Sequence, residues 1–291
     1  MNQTPRIELG VIGGSGLYKM DQLENFQQIE ISTPFGNPSS PVTVGMLEGL
    51  QVGFLARHGL GHHITPTEVN YRANLYALKS LGAQKVLGIS ACGSLREDYE
   101  PGMLVVPRQL IDFTRKRASS FFEGGLVVHI GVADPFCLEF SSQVIEAAKA
   151  AGAPIKDGGS AITVEGPRFS TKSESQLYRS WGIDLIGMTT APEAFLAREA
   201  ELCYTTLFHV TDFDVWHHIE EPVSVEQVLK VIQQNTANAQ FTVRQLAKDF
   251  QRARSCACPN ALESAFITSL KGLSPQNKEK YALFIDKYLT H

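Results

Sequence analysis

Apolar residues along the chain fall into short unbroken runs and longer stretches at helical spacing, with small-residue turns between them. Runs at residues 7–12, 42–48, 50–56, 86–90, 102–107, 160–164 and 202–210 predict strands, and 26–32 predicts one more. Helical spacing marks 70–81, where Tyr71, Leu75, Leu78 and Leu81 share a face, and also 141–151, 173–181 and 193–201. Ser224 and Gln227 have the spacing of a capping box ahead of a helix that begins near Val225 and passes Ile232. Residues 241–252 and 276–288 predict the last two helices, and 129–136 reads as irregular. Strands alternating with helices predict an α/β fold. No repeat, low-complexity tract or polar linker divides residues 1–291, which predicts a single domain.

Composition narrows the class. With 43% hydrophobic and 19% charged residues among 291, the chain has ample material for a core and lacks the signature of disorder. A net charge of −4 and a pI near 6.1 give no electrostatic reason to expect nucleic acid or an anionic membrane, and they suit a small-molecule enzyme. The first residues lack the pattern of a signal peptide, and no apolar run approaches the roughly 20 residues that span a bilayer. Five cysteines scattered over this length fit a reducing cytoplasm better than a disulfide framework. Cys256 and Cys258 are too close in sequence for a bridge of ordinary geometry without strain, so two incidental thiols is the plain reading.

Candidate chemistry collects at the ends of predicted strands. The first strand runs into Gly13-Gly14-Ser15-Gly16, whose spacing fits neither the dinucleotide fingerprint nor the Walker lysine loop. Another strand leads into Arg57 and His58, and another ends at Ser90 before a small-residue turn, Ala91-Cys92-Gly93-Ser94. Gly187-Met188-Thr189-Thr190 is a hydroxyl-rich turn opening a helix, a place where free N–H groups favour an anion. Ser15, Arg57, His58, Ser90 and Thr189 together make one planar cationic fork, one imidazole and three hydroxyls, the inventory of a tetrahedral oxyanion site. Without a P-loop lysine or a Mg²⁺ constellation, phosphate is expected as a nucleophile. His58, His62 and His63 lack cysteine or carboxylate partners at ligand spacing, so no metal is expected. Cys92 has no adjacent histidine and reads as a packed small residue. The Arg115-Lys116-Arg117 loop is short and isolated, and reads as solvated or contacting a subunit. Asp212 and Asp214, just past an apolar strand, can serve as acid/base groups, metal ligands or partners of a nitrogen heterocycle, or can be two exposed turn residues.

Six ordered segments carry a resemblance: GVIGGSGLY, ARHG, ACGSLRE, VEGPRFST, GMTTAPEAFLAREAELCY and VTDFDVWH. Over residues 7–232 they resemble the methylthioadenosine branch of the trimeric purine nucleoside phosphorylases. The resemblance implies a mixed, twisted sheet or distorted barrel flanked by helices, and attack of phosphate on C1′ of 5′-deoxy-5′-methylthioadenosine to give adenine and 5-methylthioribose 1-phosphate. It implies that Ser15, Arg57, His58, Ser90, the backbone of Ala91 and Thr189 hold phosphate, and that Met188 lies under the ribose. Phe169 would stack on the purine, with Ser170 and Val225 shaping the base and 5′ pockets. Asp212 would protonate N7, its pKa raised by burial and a like-charged neighbour, and Asp214 would meet the exocyclic amine. It further implies a cytoplasmic homotrimer, or dimer of trimers, with no metal or organic cofactor and inorganic phosphate as co-substrate. Residues 129–136 would reach a neighbouring subunit's site. Members of the branch can also close a Cys-x-Cys disulfide, which keeps that state open for Cys256 and Cys258. Phe208, His209, Phe213 and Ser15 depart from the usual pattern, while retention of both aspartates favours adenine over a 6-oxopurine. A 6-oxopurine or methylthioinosine phosphorylase, a nucleoside hydrolase and a catalytically silent nucleoside-binding protein are the other readings.

Overall fold

The computed structural model describes residues 5–14, 17, 22–217 and 225–289, and only the backbone of 225–234. Its centre is a ten-residue strand, β5 (Lys85–Ser94), with three partners. Parallel neighbours are β1 (Leu9–Gly13) and β11 (Cys203–Asp212), whose register with β5 runs from Cys203 opposite Lys85 to His209 opposite Ala91. Near its end β5 pairs antiparallel with β10 (Leu185–Gly187), Ile186 lying opposite Gly93. The expected turn at Ala91–Ser94 is therefore strand. Its small residues let β10 and β11 close in together at Gly93, a role that hydrophobic patterning does not distinguish from a loop.

From β1 the sheet continues through β4 (Leu50–Ala56) and β3 (Val42–Leu47) to β2 (Glu24–Ile29). Past β10 it continues through β9 (Ser160–Val164) to an edge strand, β7 (Gln109–Phe113). Off this path, β6 (Leu104–Val106) pairs with β11 and with β8 (Ile155–Asp157), giving eleven strands in one mixed sheet. Strands β7, β8 and β10 are not among the sequence expectations. Two have only three residues, and β7 is largely exposed, so none carries a clear apolar pattern.

Helices cover both faces. On one side α1 (Tyr71–Ser80), α4 (Thr190–Glu199) and α6 (Pro275–Leu289) bury Leu75, Leu78, Leu196, Tyr281 and Phe284 in one cluster. On the other, α2 (Leu138–Ala150) and α5 (Val225–Lys248) bury Phe140, Val144, Val243 and Leu246 against Val52, Phe54 and Leu207. Full burial of each such side chain contributes about 1.5–3 kcal/mol. The two helices expected over 225–252 are one continuous α5, and the expected capping residue Ser224 lies outside the described residues. Near the site, α3 (Lys172–Ser180) starts with a capping box in which Thr171 and Glu174 satisfy each other's backbone N–H. No helix among the described residues is long and apolar enough to cross a membrane.

Candidate active site

The C-terminal ends of β1 and β4 and the middle of β5 meet at Arg57. Its backbone N–H donates to Gly13 O at 3.0 Å, and its Nη1 and Nη2 donate to Ile89 O (2.8 Å) and Ile12 O (3.2 Å). Nε and Nη2 also pair with Glu193 of α4, at 2.8 and 2.7 Å, and the Tyr204 hydroxyl donates to the same carboxylate at 2.8 Å. Burial opposes the charge of Arg57, but Glu193 outweighs it and holds the guanidinium above its usual range. The fork expected for phosphate is thus closed by Glu193. Four of the five guanidinium N–H groups have acceptors among the described residues, which leaves one Nη1 N–H for a ligand.

One residue beyond Ile89, Ser90 Oγ lies 2.9 Å from Thr189 Oγ1. The two hydroxyls come from β5 and from the residue preceding α4, and the Thr189 side chain does not cap that helix, so it faces Ser90 instead. Ala91 and Gly93, further along β5, remain partly exposed. His58 follows Arg57 into the loop. Its Nδ1 lies 2.9 Å from Ile64 O, an acceptor, so Nδ1 carries the proton and Nε2 offers a lone pair in the neutral ring. Burial, then the Arg57 charge, lower its pKa to about 4. The ring stacks on His62 with centroids 4.4 Å apart.

At the far end of β5, a bulge in β11 between Val210 and Asp212 sets Asp212 opposite Gly93. A Cβ on Gly93 would meet Asp212 Oδ1 at 3.0 Å and Asp214 Cβ at 3.3 Å, so the acid pair packs against a position that only glycine leaves open. Thr211 Oγ1 donates to Asp212 Oδ2 at 2.6 Å, and the Asp214 backbone N–H donates to Oδ1 at 2.8 Å. The Thr211 hydroxyl also lies 3.1 Å from Cys92 O, so its one proton has two acceptors within reach. Asp214, with a backbone φ of 49°, is the carboxyl that burial pushes up, while the Ser175 and Ser170 hydroxyls and the Val215 amide pull the other way. Trp216 Nε1 donates to Ser94 O at 2.7 Å and fixes the turn that carries both.

Between these ends run the loops of Met188 and residues 165–171. Arg117 holds them together. Its Nη1 donates to Met188 O (2.7 Å) and Ala191 O (2.8 Å), and its Nη2 to Glu165 O (2.7 Å). With its side chain 1% exposed, Arg117 is no solvated or subunit-contacting residue, which corrects the reading for that residue, while Arg115 and Lys116 are exposed as expected. Glu165 in turn accepts from Thr67 Oγ1 at 2.6 Å and from the Arg115 backbone at 2.6 Å, and its pKa falls to about 2. Gly166 takes a φ of 65° directly against Met188, where a Cβ would stand 2.6 Å from the sulfur. Phe169 is exposed at the mouth of this loop, and Ser170 lies beside Asp214. Ser15 and the side chain of Val225 lie outside the described residues. Glu193 and Arg117 escaped the sequence reading. The available signal for Glu193 was a carboxylate among the apolar residues Ala194, Leu196 and Ala197 of its helix.

The sequence model of the phosphorylase superfamily matches residues 8–248. An S-methyl-5′-thioadenosine phosphorylase of Koribacter versatilis is 47% identical over 97% of this chain and 96% of its own length. This chain belongs to the phosphorylase superfamily, in the methylthioadenosine phosphorylase branch. Among solved structures, a methylthioadenosine phosphorylase from an antarctic soil metagenomic library superposes with a TM-score of 0.90 at 42% identity, over 96% of this chain and 99% of the other. The methylthioadenosine phosphorylase of Schistosoma mansoni in complex with adenine gives 0.83 at 35% identity, over 89% and 96%. The superfamily match spans Arg57, Ser90, Thr189 and Asp212.

Proposed function

We propose that the chain catalyses phosphorolysis of 5′-deoxy-5′-methylthioadenosine to adenine and 5-methylthioribose 1-phosphate, a step of purine and methionine salvage. The observation that carries the reading is an interval along β5. The paired hydroxyls of Ser90 and Thr189 and the acid pair opposite Gly93 are three residues apart on one strand. That is roughly 10 Å, room for a phosphate, a furanose and the near edge of a purine.

Phosphate would sit on the Ser90 and Thr189 hydroxyls, the backbone of Ala91, Ser15, and the free Nη1 N–H of Arg57. Because His58 is neutral with its proton on Nδ1, Nε2 would accept the remaining O–H of hydrogen phosphate and orient a bare oxygen at C1′. Met188 would underlie the ribose, Phe169 would stack on the base, and Ser170 and Val225 would border the base and the 5′ substituent. As the C1′–N9 bond breaks, its electron pair moves into the purine and a carboxyl proton passes to N7. The P–O–C1′ bond forms on the opposite face. We assign that proton to Asp212 and the exocyclic amine to Asp214. The raised carboxyl of Asp214 supports the exchanged assignment as a second reading. No metal or organic cofactor enters the reaction; orientation and an electrostatically matched seat supply the rate.

We further propose a cytoplasmic homotrimer, or a dimer of such trimers, with residues 129–136 near a neighbour's site. Support comes from an apolar patch on the sheet edge beside the Phe169 loop: Ile111, Phe113, Leu177 and Trp181 are all exposed, Trp181 by 50%.

Release of free base from methylthioadenosine, adenosine and inosine, with and without phosphate, tests the activity. Adenine release from methylthioadenosine that requires phosphate is the expected result. Inosine as best substrate would turn the reading to 6-oxopurines. Turnover without phosphate would make the chain a hydrolase, and binding without base release would make it a nucleoside-binding protein.

A further inference from the structure

At the opposite end of β11 from Asp212, four cysteines from separate parts of the chain meet. Cys137 is the residue before α2, Cys203 opens β11, and Cys256 and Cys258 lie in the segment between α5 and α6. Their sulfurs all lie within 4.8 Å of one another, with Cys203 and Cys256 at 3.4 Å, and all five cysteines of the chain are free thiols. Four atoms that are mutually this close surround a common centre and cannot form a row. Tetrahedral zinc with bonds of about 2.3 Å separates its sulfurs by about 3.8 Å. The geometry points to a tetrathiolate site for Zn²⁺ built from Cys137, Cys203, Cys256 and Cys258.

The surroundings suit the charge such a centre would carry. Four thiolates around Zn²⁺ leave a net −2, each thiol giving up its proton on binding. Arg198 Nη1 donates to Cys258 Sγ at 3.3 Å. Burial lowers the pKa of Lys85, and the charges of Cys203, Cys137 and Cys256 favour its ammonium against that. Cys137 occupies the position before the first turn of α2, where the helix N-terminus favours a thiolate. Three of the four cysteines are buried. These cations and the helix end would orient and neutralise the ligands as outer-shell groups do in metal sites.

The site would tie the segment around 250–258, which has no regular structure before a short 3₁₀ turn, to α2 and to the sheet. Glu139 already holds its approach, accepting from Ser255 N (3.0 Å) and Oγ (2.6 Å). The ten residues of β11 put the cluster about 30 Å from Asp212. The metal is therefore structural and separate from the phosphorolysis proposed above. The sequence expectation of no metal came from His58, His62 and His63 and from the family resemblance, and the proposed site departs from it; Cys137 and Cys203 stand alone in sequence, and only Cys-x-Cys gave a signal.

The full chain, purified under argon without chelator, should contain one zinc per chain by elemental analysis. Four thiols should stay hidden from a thiol reagent until the protein is denatured with chelator present. Co²⁺ in place of Zn²⁺ should give intense thiolate-to-cobalt bands and the d–d pattern of a tetrahedral site. Cys256→Ser, at the most accessible ligand, should lose the metal, whereas Cys92→Ser should keep it. Stripping the metal should lower the melting temperature by roughly 5 °C or more. Protein that carries no zinc and takes up no Co²⁺ overturns the proposal. So does peptide mapping that finds the four cysteines in two disulfides although metal was supplied throughout.

Discussion

Arg57 and Glu193 have side-chain exposures of 2% and 0%, and each is the other's principal counter-charge. Removing the carboxylate leaves a buried guanidinium with only carbonyls for company, an imbalance that costs about 3–5 kcal/mol. Glu193→Ala should shift the denaturation midpoint accordingly, and Tyr204, which donates to the same carboxylate, should couple to it in a double-mutant cycle. A second residue-scale prediction separates the two aspartates. Asp212→Asn should reduce turnover of adenine nucleosides more than about tenfold, the scale of a general acid, with a smaller change in KM. An unchanged rate for that variant, together with a large loss in Asp214→Asn, would transfer the proton to Asp214. The hydrogen bonds received by Asp212 and the burial of Asp214 make that comparison informative in either direction.

Among the secondary elements, β4, β9 and α1 sit within a residue of where their apolar spacing put them, because each buries a full face and patterning records burial. Arg57 and Asp212 stood out as candidates for a related reason: a buried strand must end in a turn, and polar groups at strand ends are placed to meet a ligand; Ser90, read as a strand end, lies inside β5. What patterning could not show was exposure without loop structure, as in β7, or burial without apolarity, as in Arg117. An arginine within an Arg-Lys-Arg run looks solvated, yet this one links the backbone after β10 to the backbone after β9. Its replacement should loosen both loops. Arg117→Lys should lower kcat/KM by roughly 100-fold, since one ammonium cannot span carbonyls that a planar guanidinium reaches together, and a small misplacement of reacting groups has effects of that size. Steady-state kinetics at saturating phosphate and at saturating nucleoside will show which loop suffers more.

The whole molecule has an open sheet edge and an acid-sensitive interior. At the edge, Phe113 and Trp181 have ring centroids 6.2 Å apart and are both exposed. A charge there should block association, so Trp181→Glu should sediment as a smaller species than the parent chain. In the interior, His209 on β11 is buried and its pKa falls to about 4 by burial alone, while burial is also the main cause raising Glu199 to about 7. The signs oppose. Between about pH 4.5 and 6.5 unfolding lets His209 take up a proton, so its contribution to stability is complete above 6.5 and fades as pH falls. Over the same interval unfolding releases the proton of Glu199, whose contribution is present in acid and fades as pH rises towards 7. Each slope is at most about 1.4 kcal/mol per pH unit, and the two nearly cancel. Half-buried His58, lowered in the same way, leaves a modest net loss of stability on acidification. Replacing one member of the pair should expose the other. His209→Leu should flatten the profile of unfolding free energy between pH 5 and 6.5, and Glu199→Gln should steepen its acid limb. Denaturant titrations at half-unit pH steps will read both slopes, and a His209→Leu profile parallel to the parent's would mean that His209 does not titrate on unfolding.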